Sequence, residues 1–255
     1  IRAAFGYANC LHQYTPRSPD RIERARQLYE RIHEYEPESK IGIRCLLLIG
    51  NIHDWRDYAG DEEDNVAARP YYLKVVEMAP EDTVGIEAAI RYAITWIELG
   101  YDPPPEVDPT DWNARREIAR NGVDYLVEEL EEREPSPAVH AAWEPLTEVY
   151  AHLFMDWQAS LEACLLATGD YGMLQGEPPI EPKRNLDRIN PGYMYWRIGL
   201  LARKLGYREI AYEYYTQIIE EVHTYKGAHA QRILREMGFP EDEIPEINQL
   251  ETDSE

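Results

Sequence analysis

One pattern governs the chain from end to end: apolar residues recur at three- and four-residue steps, the period of an α-helix buried along one face. From Arg21 to Tyr35 that stripe is Ile22, Ala25, Leu28, Tyr29 and Ile32. Asp20 stands at the N-cap with Glu23 three residues on, and Pro37 closes the segment. The same reasoning predicts helices over 1–14, 20–35, 39–50, 66–78, 82–99, 111–133, 137–153, 156–168, 191–205, 208–223 and 227–237, with strand signals nearly missing. A short helix with one apolar stripe must lean on its neighbours. Tandem helices of this kind predict an all-α fold, an α-solenoid of about five antiparallel helix pairs with a C-terminal capping helix and extended intra-pair loops.

Charge narrows the partners such a fold can take. Lys and Arg total 26 against 48 Asp and Glu, a formal charge of −22. That sign opposes a sequence-independent grip on phosphate backbones or anionic lipid, so no nucleic-acid partner is expected. The longest strongly apolar stretch, Cys45 to Ile49, falls far short of the roughly 20 residues a bilayer span needs, so no transmembrane segment is expected. The chain starts at Ile1 and not at Met, which fits loss of an N-terminal segment and leaves a soluble protein of either the cytoplasm or an exported compartment. Cys10, Cys45 and Cys164 lie far apart among apolar neighbours without a CxxC spacing. They are expected to be buried, reduced thiols, with a Cys10–Cys45 disulfide as the alternative.

The acid is local. Residues 61–180 hold 7 basic and 26 acidic side chains, against 9 and 8 in residues 1–60 and 10 and 14 in residues 181–255. Asp61, Glu62, Glu63 and Asp64 follow Gly60 and offer hard oxygen ligands to a cation such as Ca²⁺. They lack the alternate-residue spacing of an EF-hand, so a solvated acidic loop is the stronger reading and no metal is expected. His53, Asp54, Trp55 and Asp57, and the helically spaced pair His152 and Asp156, are the nearest approach to acid–base chemistry. Nothing in the sequence orients them. HExxH, GxSxG, phosphate-cradling and dinucleotide fingerprints are all absent, so neither an enzyme activity nor a cofactor is expected.

Spacing within the helix pairs is more specific. Tyr195, Ile198, Gly199, Ala202, Gly206, Ala211, Tyr215 and Ile218 run large, large, small, packing, turn glycine, small, aromatic, apolar. Ala25, Tyr29, Ile32 and Pro37 repeat the second half of that run, and Ala68, Tyr72, Val75 and Pro80 repeat it again. The pattern resembles the tetratricopeptide repeat, most closely at 195–218 and loosely at 111–168, where Pro145 interrupts a helical pattern. The small residue of each set belongs where two helices cross most closely, with the aromatic filling the gap toward the next pair.

The resemblance implies that first helices line a groove, which nominates Tyr193, Trp196, Leu200, Arg203 and Lys204 as groove residues. Positions matching that family's clamp for C-terminal carboxylates hold Trp196 and Leu200, and Gly42 and Leu46, so recognition of an acidic tail by that clamp is not expected. With 19 Tyr and 6 Trp against 3 Phe, the chain is rich in residues that pack at one end and meet a partner at the other. Stretched intra-pair turns at 15–19, 51–65 and 100–110 should decorate one rim. The organisation read from these features is repeats with inserted loops over 1–168, an inter-repeat insertion at 169–190, a C-terminal repeat and capping helix over 191–240, and a disordered acidic tail over 241–255. The expected role is a non-enzymatic scaffold or adaptor holding a protein or peptide. The alternative is a self-assembling structural subunit, with Arg17, Arg21, Arg24 and Arg31 set against the acidic middle, and an enzyme or cation-binding protein comes third.

Overall fold

The computed structural model describes residues 1–13, 18–54, 65–178, 191–221 and 225–247. Among them there is no strand, and within each of two compact units successive helices pack on their chain neighbours. The first unit, Ile1–Glu134, contains α1 (Arg2–Gln13), α2 (Pro19–Tyr35), α3 (Lys40–His53), α4 (Asn65–Met78), α5 (Thr83–Tyr101) and α6 (Trp112–Glu131).

Two of its turns are built alike. Ser39 and Asp82 cap α3 and α5, their side chains accepting from the backbone N–H of Gly42 and Val84. Gly42 and Gly85 then lie so close to the preceding turn that a Cβ would stand 2.0 Å from the carbonyl oxygens of Glu36 and Ala79 respectively. Residues 36–42 (EPESKIG) and 79–85 (APEDTVG) are thus one sequence device used twice.

The expected small and aromatic positions are buried: Ala25, Tyr29, Ala68 and Tyr72 have no exposed surface. Each hydroxyl also ties its ring to the first helix of its own pair. Tyr29 donates to Asn9 Oδ1 at 2.6 Å and Tyr72 to Asn51 Oδ1 at 2.9 Å. Gly50 makes room for the Tyr72 ring, which a Cβ there would meet at 2.6 Å. A buried hydroxyl needs a partner, and the first helix supplies one. The 100–110 turn is tied down by Arg115, which donates to the carbonyls of Gly100, Tyr101 and Pro109 at 2.7 to 2.9 Å.

The second unit, Pro135–Glu255, contains α7 (Pro137–Ala141), α8 (Glu144–Val149), α9 (Trp157–Thr168), α10 (Pro191–Leu205), α11 (Arg208–Glu221) and α12 (Tyr225–Glu236). The single helix expected over 137–153 is broken in two. Pro145 has no N–H to donate and sits in the first turn of α8, where none is required. Ala211 and Tyr215 are fully buried, and a Cβ on Gly199 would meet the Tyr215 ring at 2.9 Å. Buried Tyr214 hydrogen-bonds Asp170 and, at 3.0 Å, Thr168, pinning the end of α9 to α11.

Two expectations need correction. The acidic segment after 240 begins as a folded piece: Glu241–Glu243 form a 3-10 turn, Ile244 is buried, and Gln231 donates to the Pro245 carbonyl at 2.7 Å. Ile244 offers apolar surface that outweighs the acid around it. Residues 248–255 lie outside the described residues. All three cysteines are free thiols, which removes the Cys10–Cys45 disulfide, and Cys10 is exposed where a buried thiol was expected.

Candidate functional site

The second unit carries an open apolar groove of about 550 Å³. Its shape begins with the end of α8, which widens into a π turn, Tyr150–Phe154, carrying one residue more per turn than an α-helix. Met155 closes that turn in the left-handed region at φ 56°, and the Asp156 N–H donates to the Tyr150 carbonyl at 2.8 Å. A left-handed methionine is strained backbone, held here by that bond and by the Asp156 cap on α9, which accepts from Ala159 N–H at 2.9 Å. The reversal sets Ala151 and His152 beside Trp157, facing Leu200 and Leu201 of α10 across the groove.

Charge gathers at the lip. Lys204 Nζ lies over the Trp157 ring, 3.3 Å from its centroid, a cation–π contact that leaves the ammonium at the surface. Arg203 pairs with Glu236 at 3.2 Å. Arg197, whose side chain is only 10% exposed, is turned inward. It pairs with Glu148, donates through Nη2 to the Thr147 carbonyl at 2.8 Å and through Nη1 to the Tyr193 hydroxyl at 2.9 Å. Glu148 also accepts from the Tyr193 hydroxyl and pairs with His152 Nε2 at 3.0 Å. Burial alone would raise the Glu148 carboxyl, but the Tyr193 hydrogen bond and the Arg197 charge outweigh it and hold the group below the usual range.

Of the five groove residues named from sequence, Leu200, Arg203 and Lys204 line this groove. Tyr193 is spent on Glu148. Trp196 is half-buried and turns the other way, its ring 5.8 Å from Tyr215 and 4.9 Å from His229. One helix face cannot serve both α9 and α11, and the large indole goes where two helices converge. His152 pairs with Glu148 four residues earlier while Asp156 is engaged as a cap, so the helical spacing of His152 and Asp156 is not used for acid–base pairing. Glu148 and Arg197 were missed, although the i,i+4 spacing of Glu148 and His152 was a usable signal.

Of the arginines proposed for self-association, Arg21, Arg24 and Arg31 sit on α2. Arg21 donates to the Cys10 carbonyl at 3.3 Å, Arg24 lies over the Tyr7 ring at 5.6 Å, and Arg31 is exposed. Arg17, Trp55, Asp57 and the Asp61, Glu62, Glu63, Asp64 cluster lie outside the described residues. Among the described residues no group of three or more His, Cys, Asp or Glu is placed to hold a metal, and no helix is long and apolar enough to cross a membrane. His53 stacks on Tyr71 at 5.4 Å, and Asp54 accepts from the Tyr72 hydroxyl. Asp54 also borders a polar cleft of about 400 Å³ in the first unit, where Arg44 pairs with Glu87. That cleft mixes both signs of charge. Compared with known protein families and with curated proteins, the chain matches none.

Proposed function

We propose that this chain is a non-enzymatic interaction scaffold, a tetratricopeptide-like α-solenoid that docks a partner protein or peptide in the groove between α9 and α10. The observation that carries the reading is that groove: about 550 Å³, walled by Ala151, Trp157, Leu200 and Leu201, with Leu200 42% exposed. An open apolar hollow of that size is costly to leave in water and is the usual form of a docking site. The solenoid reading is supported by neighbour-to-neighbour packing, by the turn used at both 36–42 and 79–85, and by buried Ala–Tyr pairs at 25 and 29, 68 and 72, and 211 and 215.

In this reading a partner's large apolar side chain lies against Trp157 and Leu200, and Lys204 and Arg203 at the lip select what flanks it. The cluster around Glu148 holds α8 and α10 together beneath the groove and keeps its walls in place. Leu200→Glu places a charge on the apolar wall without touching the buried core. Quantitative capture of partners from the organism's own extract should fall at least about tenfold for that variant, with its circular dichroism unchanged. Capture equal to wild type would remove the groove as the docking site.

A further inference from the structure

A second cleft of about 540 Å³ lies in the same unit, between α11 and the turns that follow α9 and α12. Its floor is aromatic, Tyr212 and Phe239 with ring centroids 4.7 Å apart. The Tyr212 hydroxyl donates to the Glu243 carbonyl at 2.6 Å, which fixes the ring and the turn behind it. Around this floor stand four carboxylates, Glu177, Glu209, Glu213 and Glu243. Among the described residues Arg208 is the one cation on the lining, and it is turned onto the Phe239 ring at 4.3 Å while donating to the Gly238 carbonyl at 3.2 Å. Among the described residues the surface therefore combines an apolar seat with a rim in which carboxylates outnumber the one cation.

We propose that this cleft is a second docking site, independent of the α9–α10 groove, and that its occupant is a basic segment of a foreign protein: one large apolar or aromatic residue flanked by Lys or Arg. Three observations choose that occupant. The rim carboxylates meet cations on either side of an apolar anchor. The chain's formal charge of −22 draws a basic partner from a distance and repels an acidic one. A second copy of the chain carries that same −22, so mutual repulsion works against self-association here. Glu209 and Glu213, four residues apart on α11, give the segment a row of carboxylates to lie along.

The test is a display library of random dodecapeptides panned on the full chain, followed by affinity measurement of the enriched peptides. Peptides with Lys or Arg on both sides of an apolar residue should be enriched. Their Kd should rise about tenfold or more in Glu209→Lys/Glu213→Lys, and less in the milder Glu209→Gln/Glu213→Gln, while Leu200→Glu leaves it unchanged. Circular dichroism of each variant separates lost binding from lost folding. Enrichment only of peptides without net positive charge, or basic peptides indifferent to both double variants, overturns the proposal; non-basic peptides that Leu200→Glu releases belong to the α9–α10 groove and leave that reading standing. Sedimentation showing a dimer that the charge reversal dissociates would also overturn it, by making a second copy the occupant.

Discussion

Gly85→Ala tests whether the recurring turn at 36–42 and 79–85 is the packing device it is taken to be. A Cβ at Gly85 would stand 2.0 Å from the Ala79 carbonyl oxygen and 2.9 Å from its carbon. Ordinary contact needs about 3.5 Å, so α5 and the preceding turn must separate by more than about 1 Å, and the obstacle is backbone that no rotamer change can clear. Overpacking of this kind costs about 1–3 kcal/mol, with a backbone clash at the upper end. Alanine's better helix propensity returns up to about 1 kcal/mol. The net loss should be about 1–2 kcal/mol, a fall of roughly 3–10 °C in the melting temperature of the unit. Gly42→Ala, with the same 2.0 Å approach to Glu36, should behave alike. Gly6→Ala is the control, because nothing lies within 4 Å of its Cβ, and it should gain about 0.5–1 kcal/mol. Thermal and urea melts of the full chain followed by circular dichroism measure all three. Gly85→Ala and Gly42→Ala as stable as wild type would refute the reasoning.

Native protein should present one fast-reacting thiol to a water-soluble disulfide reagent, Cys10, because burial encloses Cys45 and Cys164 and pushes each thiol up to about 12. More than one fast equivalent would contradict the helix packing around them. Burial, with Glu148 nearby, raises the Glu144 carboxyl above its ordinary 4.5, so the ionised form is disfavoured in the fold and its penalty is complete at neutral pH. Glu144→Gln should therefore stabilise the protein at pH 7, and the gain should fade as pH falls toward 4.5; a loss at pH 7 would overturn the sign. Met155→Gly should be neutral or stabilising by up to about 1 kcal/mol, since a left-handed conformation costs roughly 1–2 kcal/mol and glycine gives part of that back as chain entropy. A clear destabilisation in urea melts would mean Met155 contributes by packing.

Local physics was legible in the sequence. The helices start where Ser39, Asp82, Asp111 and Asp156 cap them, and the small and aromatic positions of the repeats are buried as their spacing implies. Ile22, Ala25, Tyr29 and Ile32 are the buried residues of α2, and Leu28, the fifth residue of the stripe its periodicity marks, is half-buried. What the sequence withheld is pairing over distance. Arg197 meets Glu148 from forty-nine residues away, and no helical period relates them. The π turn was hidden for a different reason: its extra residue is set by Pro145 restarting the helix upstream and by the Asp156 cap downstream, a compromise between two local signals that periodicity averages away. Trp196 shows the limit of a resemblance, since its position was right for a groove and its ring was drawn to Tyr215 and His229 instead.

The central claim, that a partner seats in the groove between α9 and α10, is tested most directly by site-specific photocrosslinking in the organism's own extract. A benzophenone amino acid placed at Leu200, 42% exposed on the groove wall, is compared with the same group at Tyr35, 76% exposed at the end of α2. The account predicts a discrete crosslinked species from position 200 that Lys204→Glu diminishes, and none from position 35. Absence of an adduct at 200, or the same adduct from both positions, would contradict it.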